Sequence, residues 1–140
     1  MANRPLKRRK GPTILGAIEP VLVRGDSGAR RVLAKIDTGA SRTTIDFELA
    51  AKVGLGPVLD TVRVRAAMSE HSEMRALVDA EITVSGEKFS VPVAITDRGD
   101  MRYHVVIGMD ILRSGPFLID PARGAKRARQ THAHSNGKFE

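Results

Sequence analysis

The sequence contains no cysteine, which excludes disulfide bonds, thiolate zinc sites and thiol nucleophiles. It also lacks tryptophan, and aromatic residues make up 4% of the chain, so we expect a core of aliphatic side chains. No apolar run approaches the roughly 20 residues that a membrane-spanning helix requires. The basic N-terminal segment is followed by no continuous apolar stretch, which is not the pattern of a secretory signal. We therefore expect a cytoplasmic protein that makes no contact with a membrane.

The length of 140 residues corresponds to one domain of ordinary size. It excludes a two-lobed enzyme, a TIM barrel and a complete dinucleotide-dependent oxidoreductase. The apolar fraction of 41% and the charged fraction of 28% are those of a globular chain. We place the domain at residues 12–122, between end segments of different composition.

The net charge of +7 comes from the two ends of the chain. Residues 1–13 hold five basic residues and no acid, and residues 123–140 hold five basic residues and one glutamate, so the part between them is slightly acidic. Both ends are poor in large apolar residues, and we predict that residues 1–11 and 123–140 are disordered tails. Such tails bind RNA and other polyanions weakly, through a salt-sensitive attraction that reads no sequence.

Hydrophobic and polar residues alternate over much of residues 12–122. Val62 and Val64 alternate with arginines, and residues 79–84 and 89–95 show the same period of two. This pattern predicts strands with one buried face. Polar breaks at residues 24–28, 69–72 and 85–87 have the composition of hairpin turns. Pro92 cannot donate a ladder hydrogen bond, so we expect it on an edge strand or at a bulge.

One helix has defined ends in the sequence. Asp46 fits an N-cap, residues 47–53 suit a helix, and Gly54 suits a left-handed residue at the C-terminal end. A second, shorter helical turn is predicted at residues 110–113, with Asp110 capping it or facing solvent. The sequence therefore predicts an all-β fold, a small closed β-barrel with one or two short helices.

One apolar strand runs directly into a chemically distinct turn, Asp37-Thr38-Gly39-Ala40. A carboxylate is thereby placed at a strand end beside backbone amides and a hydroxyl, and Gly39 permits a sharp turn and the close approach of another backbone. A second segment, Val106-Ile107-Gly108, has the same form but carries no acid in its turn.

These two segments, in this order, resemble the retropepsin family of aspartic proteases. In that family the Asp-Thr/Ser-Gly-Ala turn supplies the catalytic acid, and a later apolar-apolar-Gly strand passes beneath it. The order of acid turn, helix, flap hairpin, apolar-Gly strand and terminal helix is also similar to the retroviral-protease-like domain of eukaryotic DNA-damage-inducible shuttle proteins.

A closer resemblance covers about residues 12–122 and is to bacterial and archaeal proteins labelled ATP-dependent zinc proteases, some of which are encoded beside ligases that add glutamates to a ribosomal protein. It rests on four blocks in the same order: Ile14-Leu15-Gly16 with Glu19, residues 34–40, residues 96–103, and residues 106–108 with 117–120. The chain has no phosphate-binding loop, and its four histidines form no metal-ligand motif. We therefore expect neither ATP nor a metal as cofactor.

The retropepsin resemblance implies a peptidase in which two carboxylates share one proton and activate a water. Because the chain has one acid turn, the resemblance also implies a homodimer with Asp37 of each chain at its axis. Thr38 and Gly39 would complete the catalytic turn. Ala40, and Ser69 of the flap hairpin, would contact the peptide or protein substrate.

Three arginines are candidate substrate-side cations: Arg75, Arg98 and Arg102. They would suit a glutamate-rich peptide, and the alternative is that they are ordinary surface arginines. The competing hypothesis for the whole protein is a non-catalytic β-barrel module that binds RNA, ribosomes or an acidic partner through its basic tails. In that case Asp37 would be a turn or capping aspartate. The intact Asp-Thr-Gly sequence favours catalysis, because a binding module does not need it.

Overall fold

The computed structural model describes residues 11–65, 72–96 and 102–124. Its elements in chain order are β1 (Thr13–Leu15), β2 (Ile18–Gly25), β3 (Gly28–Ile36), β4 (Thr44–Asp46), α1 (Phe47–Val53), β5 (Asp60–Arg65), β6 (Ser72–Val84), β7 (Glu87–Thr96), β8 (Val105–Ile107), α2 (Met109–Leu112) and β9 (Phe117–Ile119).

Six of these strands close into a barrel. Their order is β2-β3-β8-β4-β7-β6, and β6 pairs again with β2, which completes the ring. The pairs β3–β8 and β4–β7 are parallel, and the other pairs of the ring are antiparallel. β5 lies outside the ring, on the edge of β6. The predicted all-β barrel with short helices is confirmed.

The barrel interior is aliphatic, as the scarcity of aromatic residues predicts. Its largest fully buried side chains are Leu15, Ile45, Ile82, Ile107 and Ile111. Burying one side chain of this size contributes roughly 1.5–3 kcal/mol to stability. Two phenylalanines, Phe89 and Phe117, pack at the margin of this core with ring centroids 5.9 Å apart.

Both predicted helices are present. α1 ends at Gly54, whose φ of 79° is left-handed as expected and whose N–H donates to the Ala50 carbonyl. Its N-cap residue is Asp46, but the Asp46 side chain makes no capping hydrogen bond. α2 begins at Met109, one residue earlier than predicted. Among the residues that the structure describes, no helix is long and apolar enough to cross a membrane.

Two of the predicted hairpin turns are confirmed. Asp26 and Ser27 connect β2 to β3, and Ser85 and Gly86 connect β6 to β7. Ser85 and Gly86 both have positive φ, 49° and 84°, which is the backbone of a type I′ turn. The third predicted turn, at residues 69–72, lies outside the described residues except for its last residue.

Pro92 lies within β7, which is an internal strand of the ring. Its cross-strand partner in β6 is Asp79, whereas β4 pairs with β7 at residues 94–96. At Pro92, β7 is therefore paired with β6, whereas β4 on its other side begins two residues later and needs no hydrogen bond from Pro92. The edge-strand prediction is therefore wrong for β7, which is internal, although β4 does not extend as far as Pro92.

β1 and β9 form a separate two-stranded parallel sheet. Three apolar side chains of this sheet are at least one-third exposed: Ile14, Leu118 and Ile119. The chain then continues past β9 and returns to the start of β2. Arg123 and Gly124, which the sequence places in the C-terminal tail, lie against Gly16 and Ile18. Residues 1–10 and 125–140 lie outside the described residues.

Candidate active site

The candidate catalytic turn begins where β3 ends. The Asp37 N–H donates to the Ile107 carbonyl at 2.9 Å, which ties the turn to β8. The Gly39 N–H donates to Asp37 Oδ1 at 2.8 Å, and the Ala40 N–H donates to the Asp37 carbonyl at 3.1 Å. Asp37 is half-buried, whereas Thr38 is exposed. The carboxylate is thus held by a backbone amide at the surface of the barrel.

The end of β8 crosses closely beneath the segment that follows this turn. A Cβ at Gly108 would lie 2.8 Å from the carbonyl oxygen of Ala40 and 2.9 Å from that of Arg42, so only glycine fits there. The Met109 N–H donates to the Ala40 carbonyl at 2.8 Å, and the Asp110 N–H donates to the Ser41 carbonyl at 3.2 Å. The two glycine-containing segments that the sequence singles out are therefore in direct contact.

Thr43 and Asp110 lock this crossing. Thr43 is fully buried, its N–H donates to Asp110 Oδ2 at 3.0 Å, and its hydroxyl donates to Asp110 Oδ1 at 2.7 Å. The Gly108 N–H in turn donates to Thr43 Oγ1 at 3.0 Å. The sequence suggests that Asp110 caps the helical turn or faces solvent. In the structure it is half-buried, and its carboxylate binds Thr43 in addition to the Ile111 N–H of α2. No local sequence pattern predicts this contact, because Thr43 and Asp110 are 67 residues apart in the chain.

The sheet around Asp37 has a buried face and an outer face. Three neighbours across β3, β8 and β4 are fully buried in the core: Ala34, Val105 and Ile45. Strand alternation puts the next cross-strand row, Lys35, Val106 and Thr44, on the opposite side, which is also the side of Asp37. Lys35 is exposed, and the other two are half-buried. We call this row the outer face; no local pattern in the sequence singles out Lys35 as part of it.

A histidine–aspartate pair lies one alternation further along the same face. His104 Nδ1 is 2.7 Å from Asp46 Oδ2, and the Asp46 N–H donates to the His104 carbonyl at 2.8 Å. Because the Asp46 carboxylate can only accept a hydrogen bond, Nδ1 of His104 is the donor in this contact. The side chain of His104 is 48% exposed, whereas that of Asp46 is 10% exposed. The pair joins β4 to the start of β8 and explains why Asp46 does not cap α1.

The other predicted site residues are placed differently. The Ala40 carbonyl belongs to the crossing with α2, as described above. Arg75 is 9% exposed, and its Nε and Nη2 donate to Glu73 Oε1 at 3.2 and 2.9 Å, so its guanidinium is already engaged. Arg102 is exposed. Ser69 and Arg98 lie outside the described residues.

Metal ligands do not gather at this site. In residues 11–65, 72–96 and 102–124, no three histidine, aspartate or glutamate side chains are grouped so that they could hold a metal ion. The Asp37 carboxylate has a backbone amide as its hydrogen-bond partner. Within the described residues, the groups around Asp37 therefore do not fit the zinc chemistry named in the label of the proteins that the sequence resembles.

Comparison with protein families gives one match. A family model described as aspartyl protease matches residues 20–111, which is more than half of the chain and includes both the Asp37 turn and Gly108. A search of curated proteins gave no match.

Comparison with solved structures shows the fold. The chain is similar to Lpg0085 of Legionella pneumophila, described as a protein of unknown function (DUF785), with a TM-score of 0.56 and 20% identity over 78% of this chain and 93% of that one. It is also similar to EIAV protease complexed with the inhibitor HBY-793, with a TM-score of 0.56 and 14% identity over 79% of this chain and 93% of that one. The likeness to EIAV protease confirms the predicted retropepsin-like barrel.

Proposed function

The chain belongs to the aspartyl protease family, and we propose that it is a peptidase that hydrolyses peptide bonds with Asp37 as its catalytic acid. The observation that carries the proposal is the fixed position of the Asp37 carboxylate, at the end of β3 with a hydrogen bond from the Gly39 N–H. The test is hydrolysis of a peptide library by the purified chain, which an Asp37→Asn variant should not perform.

The chemistry needs two carboxylates a few ångströms apart that share one proton. One acts as the base on a water, and the other donates a hydrogen bond to the carbonyl of the scissile bond. The matching turn on β8 has Gly108 and Met109 where an acid would have to stand. Asp110 is the next carboxylate along, and it is engaged by Thr43. We therefore propose that a second copy of the chain supplies the second Asp37.

The β1–β9 sheet supports this homodimer. Its exposed apolar residues Ile14, Leu118 and Ile119 would be covered by the corresponding residues of a partner. Two residues after the end of β1, the Ala17 carbonyl accepts a hydrogen bond from the N–H of Ile36, the residue before Asp37. A twofold axis near this sheet would bring the two acid turns together, with the exposed Thr38 of each turn facing the other.

We propose a glutamate-rich peptide as the substrate. Lys35 is the cation that supports this choice, because it is exposed on the outer face two residues before Asp37. No ion pair within the described residues occupies its ammonium group. A glutamate next to the scissile bond could therefore pair with Lys35. Arg75 supports this less well, because Glu73 already binds its guanidinium.

Reversing the charge of Lys35 should reverse this preference. In a peptide library analysed by mass spectrometry, the wild-type chain should cleave next to glutamate about fivefold more often than next to glutamine, the size expected of an exposed ion pair. Lys35→Glu should abolish that preference and favour lysine instead. The control is Lys52→Glu, an exposed lysine on α1, which should cleave like the wild type. An unchanged glutamate preference in Lys35→Glu would contradict the assignment.

The basic tails are an addition to this function and not its substitute. We propose that they give the full chain weak, salt-sensitive binding to polyanions, as counterion release requires. A purely non-catalytic binding module would not need the Asp-Thr-Gly sequence of the Asp37 turn.

A further inference from the structure

We propose that residues Asp120–Gly124 form a C-terminal latch that positions the catalytic turn. The latch follows β9, the last strand within the described residues. The inference rests on the proposed peptidase function of Asp37, and it adds that turnover depends on the segment that follows β9.

A chain of backbone hydrogen bonds connects the latch to Asp37. The Ala17 N–H donates to the Arg123 carbonyl at 2.6 Å, and the Ala17 carbonyl accepts from the Ile36 N–H at 2.9 Å. On the other side of the turn, the Asp37 N–H donates to the Ile107 carbonyl at 2.9 Å. The backbone that carries the carboxylate is therefore held between β8 and Ala17, and Ala17 is itself held by the latch.

Two glycines allow this close contact. A Cβ on Gly16 would overlap the carbonyl group of Arg123. A Cβ on Gly124 would lie 2.9 Å from the backbone nitrogen and oxygen of Ile18, and the φ of Gly124 is +89°. Residues 16–18 and 123–124 thus meet backbone to backbone, at a distance that side chains on these glycines would prevent.

The latch is also fixed internally and to β1. The Arg123 N–H donates to the Asp120 carbonyl at 3.0 Å, and the Ala122 N–H donates to Asp120 Oδ1 at 3.1 Å. The Asp120 N–H donates to the Leu15 carbonyl at 2.9 Å, and Arg123 Nη1 donates to the Ile14 carbonyl at 3.0 Å. It is therefore a defined turn, with two hydrogen bonds of its own and two to β1.

The latch matters for catalysis because the two carboxylates of a dyad must be held at precise positions. Gly16 and Ala17 belong to no strand, and two hydrogen bonds hold this connection between β1 and β2: the Ala17 N–H donates to the Arg123 carbonyl, and the Gly16 N–H donates to Glu19 Oε2 at 2.6 Å. If the latch moves, the Ala17 carbonyl shifts as the acceptor of the Ile36 N–H, and the turn is then held in place on the β8 side alone, which allows a displacement by fractions of an ångström. Misplacement of reacting groups on that scale costs turnover more than it costs substrate binding.

The experiment uses full-length variants that disturb the latch to different degrees. Gly16→Ala should displace it and lower kcat about tenfold while KM stays within about twofold. Arg123→Ala removes the bond to Ile14 and should lower kcat by a smaller factor, about threefold. Arg123→Lys keeps a donor and should restore kcat, and the control Arg113→Ala, at an exposed arginine after α2, should match the wild type.

Amide hydrogen exchange supplies a readout that does not need activity. In Gly16→Ala the amides of Ala17 and Ile36 should exchange about tenfold faster, while the amide of Ile82 in β6 should be unchanged. A wild-type kcat in Gly16→Ala and Arg123→Ala would overturn the proposal, as would unchanged exchange at Ala17 and Ile36, or faster exchange at Ile82 as well. If the wild-type chain cleaves no peptide, the peptidase proposal fails, and selective exchange at Ala17 and Ile36 still decides whether the latch holds the turn.

Discussion

Asp37→Asn is expected to lower the rate of peptide hydrolysis by about 10³-fold or more, because an amide can neither take a proton from water nor share one with its partner. The fold should be unaffected, since an asparagine side-chain oxygen can still accept the hydrogen bond from the Gly39 N–H. The rate is measured on peptides that the wild-type chain cleaves, and circular dichroism and the unfolding midpoint report on the fold.

Asp60→Asn is the matched control for this prediction. Asp60 is also an aspartate whose Oδ1 accepts from a nearby backbone amide, that of Thr61 at 2.8 Å, but it is exposed at the start of β5. Its variant should keep wild-type activity, and so should the wild-type chain treated with a chelator. Activity that survives in Asp37→Asn and is lost with the chelator would refute the aspartic mechanism.

Asp110→Ala should cause the second large effect, a loss of about 3 kcal/mol in the free energy of unfolding. The substitution removes the acceptor of both the N–H and the hydroxyl of Thr43, which is fully buried and cannot turn to water. The loss is measured by urea denaturation at one fixed protein concentration, since the stability of a dimer depends on concentration.

Two comparisons make this stability prediction specific. Asp60→Ala removes an exposed carboxylate with a local hydrogen bond and should change the free energy of unfolding by less than about 0.5 kcal/mol. Asp110→Asn keeps one acceptor oxygen and should fall between the two. Equal stability of Asp110→Ala and Asp60→Ala would mean that the Thr43–Asp110 contact does not hold the crossing together.

The barrel could be predicted because its signals are local. Alternation over residues 79–84 and 89–95, the turn residues Ser85 and Gly86, and the helix end at Gly54 each act within a few neighbours, and the structure contains all of them. The acid turn can also be predicted from a local pattern, because its residues are adjacent in the chain. Helix α1 shows the limit: its position follows from sequence, but the partner of Asp46 does not.

The site's remaining parts depend on contacts that no local pattern encodes. Asp110 binds Thr43 across 67 residues of sequence, and His104 binds Asp46 across 58. Arg75 resembles a free surface cation in the sequence, but it is 9% exposed and paired. Lys35 reads as an unremarkable strand residue until the register with Val106 puts it on the outer face. From the sequence Arg123 belongs to a basic tail, but in the structure its carbonyl accepts a hydrogen bond from the Ala17 N–H.

Subunit mixing shows whether one active site uses Asp37 from two chains. Wild-type chain is incubated with an equal amount of Asp37→Asn chain until the subunits have exchanged, and peptidase activity is compared with the same total amount of wild type. If both acids are required, only wild-type pairs are active, and random pairing leaves about a quarter of the activity. Activity of about half, unchanged when more Asp37→Asn chain is added to a fixed amount of wild type, would mean that each chain works alone and would contradict the shared dyad.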